Sequence, residues 1–212
     1  MYIPDHFRPT DEDVLALLRS PGAVDLITVT ARGLIATMLP MAWDAPGSRP
    51  GLGEHGALLG HVAIKNDQWR EPALGESMAI VRGPDAYITP SWYVAKREHG
   101  RVVPTWHYVT IHAYGRLVIH TDATWLEANV RRLVDAHEAS RSEPWSVDDA
   151  PRAYIDGQLK AIVGVELLID RIDAKSKLSQ NRSDADIDGT IAGLEADGEH
   201  GVSSAMRQVR KG

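Results

Sequence analysis

Apolar and polar positions divide this chain into a first half that reads mainly as strands and a second half in which helices join them. Near the start, Thr10 and Asp13 have capping-box spacing, and Val14, Leu15, Leu17 and Leu18 supply the apolar face of a helix that Pro21-Gly22 ends. Asp25 to Ala31 alternates and is β-branched, which predicts a strand, and Arg32-Gly33 turns it into a second, Leu34 to Trp43. Asp44 to Gly56, rich in Pro and Gly, reads as a loop before a third strand, Ala57 to Ile64, and Asn66 to Arg70 reads as one helical turn. Ser77 to Arg82 and Ala86 to Tyr93 read as strands around a Gly83-Pro84 turn, followed by a charged loop, Lys96 to Arg101. Val103 to Ile119 is a long strand rich in Tyr, Thr, Val and Ile, with Gly115 placed for a bend or bulge.

Thr124 to Glu138 carries Leu126, Val130, Leu133, Val134 and His137 on one helical stripe, His137 being a buried or C-terminal capping residue. Asp148 to Ile162 reads as another helix through Ile155, Leu159 and Ile162, and Val163 to Ile172 returns to strand. Ser183 and Asp186 then open a helix through Ile187, Ile191 and Leu194, and the polar stretch from Gly198 reads as a loosely held tail. Strands first and helices later predict an α+β fold, an antiparallel barrel with packed helices rather than a parallel sheet. The expected division is residues 1–182 for the barrel with its inserted helices and residues 183–212 for the last helix and tail.

With 43% hydrophobic and 25% charged residues, a folded core is expected over the 212 residues. Cysteine is absent, which removes disulfides, thiolate nucleophiles and iron–sulfur ligands. MYIPDHFRPT lacks a basic segment followed by an apolar run, and no apolar stretch nears the roughly 20 residues of a bilayer span, so a cytoplasmic protein is expected and no membrane partner. The net charge of −6 disfavours phosphate-rich partners, and neither Arg131-Arg132 nor the Arg210-Lys211 end forms a basic cluster. Direct DNA binding is therefore not supported by charge.

The nine histidines include no His-x-His and no H-E-x-x-H, and His107 and His112 lie an odd number apart, on opposite faces of an unbroken strand, so no metal site is expected. No G-x-G-x-x-G opens a helix after a strand, no P-loop occurs, and Ser91 lacks the G-x-S-x-G elbow of a hydrolase. Three segments stand out. Pro90-Ser91-Trp92-Tyr93 and Pro104-Thr105-Trp106-His107-Tyr108 set rings with polar handles beside a proline, suited either to flank a planar ligand or to cap the barrel core. Lys177-Leu178-Ser179-Gln180-Asn181-Arg182 packs two cations and three hydrogen-bonding side chains into one turn, a donor set for a phosphate or flavin edge, or else a solvated helix-entry loop.

Taken in order, MYIPDHF, GHVAIKNDQWRE, GPDAYITPSWY, KREHGRVVPTWHYVTIHAYGRL and KLSQNR resemble the PaiB-type FMN-binding negative transcriptional regulators from Met1 to about Leu194. The resemblance implies a split β-barrel similar to flavin reductases and pyridoxamine phosphate oxidases, with FMN as cofactor at the subunit interface of a homodimer. It implies a strand over Ala36 to Met41 running along the flavin, with Thr37 and Leu39 offering backbone groups to the ring edge. His61 and Val62 end the next strand, and Lys65 and Asn66 contact the phosphate, assisted by free N–H groups of a one-turn helix. Trp106 and His107 approach the ring from the partner subunit, and Lys177, Gln180 and Arg182 close the site. The chain departs from the family at His107, commonly Asn, and at Ser176, commonly aromatic. Three functions follow as expectations: a flavin-binding regulator, an FMN-dependent oxidoreductase in which His107 and Tyr108 orient or protonate a substrate, and, more distantly, a haem-handling protein.

Overall fold

The computed structural model describes residues 1–210, and contacts divide them into two compact units. In chain order the elements are α1 (Asp11–Arg19), β1 (Ala23–Thr30), β2 (Gly33–Asp44), β3 (Ala57–Ala63), β4 (Ser77–Ile88), α2 (Val94–Glu98), β5 (Thr105–His120), α3 (Ala123–Glu138), α4 (Arg152–Leu159), β6 (Ile162–Lys177), α5 (Asp184–Ala196) and α6 (His200–Val209). Among the described residues, no helix is long and apolar enough to cross a membrane.

The first unit, Leu15–Val81 with His112–Ile172, holds a closed barrel in the order β1-β2-β3-β6-β5-β4. The alternation that predicted β1 sends Val24, Leu26, Thr28 and Thr30 inward, while Ile27 and Val29 face out. β1 and β2 pair antiparallel from Thr30↔Gly33 to Ala23↔Pro40. β3 buries Ala57, Leu58, Leu59, Gly60 and Val62; Leu58 lies between Trp43 and Leu167, Leu59 between Ala42 and Glu166, and α3 packs against the strand. Asp122 caps α3 by accepting the Trp125 N–H at 2.9 Å, and the helix buries Leu126, Asn129 and Leu133.

Beneath α3 lies a charge network. Glu166, 3% exposed, is paired with Arg49, and its other oxygen lies 2.7 Å from His120 Nε2. His120 stacks flat on Trp125 at 3.9 Å. Asp44 receives Arg49 at 2.7 Å and Arg132 at 2.9 Å. Burial pushes the Asp44 carboxyl up, but the hydrogen bonds from Arg49, Ser48 and Arg132 outweigh it and hold the group below the ordinary range.

The second unit combines Met1–Val14, Arg82–Ile111 and the stretch from Asp173. Its core is Ala86, Ile88, Tyr93, Leu178, Ile187, Ile191, Leu194, Val202 and Met206. Ser183 caps α5 by accepting the Asp186 N–H.

Four expectations are corrected. Gly83-Pro84 does not turn the chain: β4 runs through it to Ile88, because Gly83 is there for a close neighbour, Val109, whose Cβ would lie 2.8 Å from an added methyl. The loop Lys96 to Arg101 begins as α2, whose Ala95 N–H is held by Asp186 at 3.0 Å. The helix over Asp148 to Ile162 is broken by Pro151 into a short 3-10 turn and α4, and Ile162 already belongs to β6. The stretch after Gly198 is not loosely held but forms α6, which buries Val202, Ser203 and Met206. His137 is exposed, in the last turn of α3.

Candidate functional site

The predicted site residues fall into two groups, one in each unit. In the barrel unit, β3 pairs only with Met41–Asp44 of β2, and Pro40 has no N–H to extend the ladder. Among the described residues, the β3-facing backbone edge of residues 34–39 therefore carries no strand. The groups that reach this edge are the N–H and C=O of Leu34, Ala36 and Met38, available to a planar polar ligand; Thr37 and Leu39 alternate with them and, like Met41, whose N–H bonds the Gly22 carbonyl, turn theirs toward β1. The side chain of Leu39 points inward, 4% exposed, and would touch any Cβ at Gly60, while its backbone groups face Val24 of β1, so the structure places neither on this edge.

Asn66 caps the turn after β3. Its Oδ1 accepts the Gln68 N–H at 2.8 Å, and its Nδ2 donates to the Thr37 hydroxyl at 3.0 Å. That leaves the Thr37 hydroxyl hydrogen for another acceptor. Lys65, next to it, is exposed. On β3, Val62 is buried opposite Val163, and His61 lies opposite Gly164 with Nδ1 buried and without a hydrogen-bond partner. Burial lowers the His61 pKa and so favours the neutral imidazole.

In the second unit, the KLSQNR turn is held by its own side chains. Gln180 Oε1 accepts the Leu178 N–H at 2.8 Å and Nε2 donates to the Ser176 carbonyl at 2.7 Å, so its carboxamide is spent within the loop. Lys177 donates to Thr105 Oγ1 at 2.6 Å. Arg182 lies 4.0 Å over the Tyr93 ring and 3.6 Å from Asp186. Trp106 is half exposed, its Nε1 donating to Asp85 at 2.8 Å. Ser176 is buried.

His107, 1% exposed, is joined to Ser179 through Nε2 and Oγ at 2.7 Å, while its Nδ1 is buried without a partner. Burial first, then the charges of Lys177 and Arg182, push its pKa from 6.5 down to about 4. The unfolded chain therefore binds a proton here between those two values and the folded chain does not. The stability from this neutral histidine is complete above pH 6.5 and drains away as pH falls towards 4. Between pH 7.5 and 5 we expect wild type to lose about 2 kcal/mol more than H107N, read from urea midpoints at both pH values; equal losses would refute a neutral buried His107.

Ser179 and Tyr93 lie in segments the sequence marked but were given no site role there, and the Glu166 network was not singled out. A serine carries no mark of the backbone angle that Ser179 adopts, and the Glu166 contacts join residues 117 and 46 positions apart.

Residues 1–171 match the family described as "Putative FMN-binding domain". Protease synthase and sporulation protein PAI 2 of Bacillus subtilis is 31% identical, over 92% of this chain and 89% of its own. The chain belongs to the PaiB-type FMN-binding family. An uncharacterised protein of Emericella nidulans is 35% identical over 74% of this chain and 73% of its own. The fold of this PaiB-type chain is the flavin-binding split barrel: the FAD and heme binding protein of Mycobacterium smegmatis superposes with a TM-score of 0.56 at 14% identity, over 87% of this chain and 80% of that one.

FMN is the cofactor of this PaiB-type protein, and the residues present fit it. The open β2 edge suits the hydrogen-bonding rim of an isoalloxazine, and Lys65 with the Thr37 hydroxyl suits a phosphate. When bound, FMN supplies hydride and electron transfer, and the protein supplies placement and charge.

Proposed function

We propose that this chain is a homodimeric FMN-binding regulator of the PaiB type, with FMN at the subunit interface and with its effect on transcription exerted through partners rather than by gripping DNA itself. One observation carries the dimer. The outward face of the β1–β2 hairpin is apolar and open, with Val29 44%, Leu34 74% and Met38 72% exposed, beside Ala36 and Pro40. Such a patch on one sheet face marks an interaction surface. It lies on the strand whose free edge suits the flavin, so a second copy seated there would supply the missing wall of the site, Trp106 and His107 included.

The regulatory role is supported by the name of the Bacillus subtilis relative, a protein of protease synthesis and sporulation. The cations singled out in the sequence favour an indirect action. Arg131 is bound by Glu127 and Asp148, Arg132 by Asp44, and Arg210 by Asp184 and Asp188. Lys211 lies outside the described residues. Phosphate binding at these positions would first have to break ion pairs.

The test is gel filtration after incubation with FMN. A yellow protein eluting at dimer size is expected; a colourless monomer would end this reading. For the regulatory role, transcript profiles of a deletion strain should change while mobility-shift assays show no direct complex, and unchanged transcripts remove it. A second reading, an FMN-dependent oxidoreductase, is favoured by Lys177 and Arg182, whose charges suit the extra negative charge of reduced FMN. Stopped-flow mixing with NADH or NADPH separates the two, since bleaching of the flavin band is expected of the enzyme alone.

A further inference from the structure

Among the described residues, Ser179 is the sole non-glycine residue in the left-handed region, with φ 66°. That conformation costs an L-residue roughly 1–2 kcal/mol. It persists because the loop overdetermines it: Gln180 clamps both Leu178 and Ser176, and the Arg182 N–H is bonded to the Ser179 carbonyl at 3.0 Å. Strain maintained by surrounding bonds concentrates at functional positions. Here its result is to aim the Ser179 hydroxyl at His107 Nε2, with both residues buried.

The direction of that hydrogen bond follows from counting what each arrangement leaves unmade. If Nε2–H donated to Ser179, the buried hydroxyl hydrogen would have no acceptor and the Nδ1 lone pair no donor. If Ser179 donates to Nε2, the hydroxyl is satisfied and a single group remains, the Nδ1–H. Leaving buried polar groups unpaired is costly, so the second arrangement is favoured.

We propose that Ser179 is a positioning residue that fixes His107 in the Nδ1–H tautomer, so that this buried donor meets an acceptor atom of the bound flavin ring. The inference rests on the FMN reading above and deepens it. A neutral imidazole set in this way accepts at one end and donates at the other, and the isoalloxazine pyrimidine edge offers ring nitrogens and carbonyl oxygens to receive the proton. The unpartnered Nδ1, 99% of whose residue is removed from solvent, is the observation that calls for a ligand atom.

The experiment uses the full chain labelled with ¹⁵N-histidine and FMN as the probe. The long-range ¹⁵N–¹H spectrum of wild type should show His107 protonated on Nδ1. S179G removes the hydroxyl and relieves the φ strain, so it keeps the fold, and it should broaden or shift that signature. Its FMN dissociation constant should rise about tenfold, the scale of one buried hydrogen bond. In an H107A background, S179G should add nothing further. An Nε2–H signature in wild type, an unchanged spectrum in S179G, or an equal loss of affinity with and without His107 overturns the proposal. Wild type that takes up no FMN at all instead defeats the flavin reading on which it rests.

Discussion

Gly115→Ala is expected to destabilise the barrel by about 3 kcal/mol or more, and to leave little soluble protein. Gly115 lies in the middle of β5, and a methyl group there would sit 1.8 Å from the Leu168 carbonyl oxygen and 2.8 Å from its carbon. Both are backbone atoms of β6, which is locked to β3 from Ala57↔Leu168 to Ala63↔Ile162. No rotamer change relieves the clash, so the strands would have to separate where the barrel closes. Gly157→Ala is the matched control. It lies in α4 with nothing within 4 Å of the added carbon, and should raise stability by about 0.5–1 kcal/mol. Thermal unfolding by circular dichroism checks both. A Gly115→Ala protein that unfolds with wild type would show that β5 and β6 do not approach as closely as described.

The glycine was visible in the sequence, but its reason was not. A glycine in a strand pattern signals a bend or a close neighbour alike, and β5 runs continuously from Thr105 to His120. Where local chemistry dominates, the sequence was legible. The alternation of β1, the Thr10–Asp13 capping bonds of α1 and the Ser183 cap of α5 act within a few residues. Where distant partners decide, it was not. Gly83-Pro84 has turn composition, but strand pairing overrides it. In α6 the apolar stripe of Val202, Met206 and Val209 is diluted by small polar residues, and Ser203 is buried because its hydroxyl donates to the His200 carbonyl at 3.1 Å. The candidate site divides in the same way. Asn66 opens the helical turn that the sequence marked, and its capping bond is local, to Gln68 two residues on. The pairing of His107 with Ser179 spans 72 positions and depends on a backbone angle that residue type does not signal.

The double variant L34K/M38K is expected to convert the proposed dimer to monomers and to release FMN with it. Leu34 and Met38 face outward on β2, opposite Val29 and Asp25 of β1. Lysine is chosen because a cation at position 38 lies directly across from Asp25, which spares the barrel a like-charge pair. Both positions are mostly exposed in the single chain, so its folding should change by no more than about 0.5 kcal/mol. In a two-fold dimer each substitution acts twice, so four apolar side chains leave the interface. At about 1.5 kcal/mol each, that is about 6 kcal/mol, or roughly a ten-thousandfold weaker dimer. Sedimentation velocity at micromolar protein reads the mass, and the flavin absorbance of the sedimenting boundary reads the cofactor. If FMN belongs to the interface, both signals fall together. A monomer that keeps its flavin would place the ring within one subunit, and a variant that remains dimeric would move the interface off the β1–β2 face.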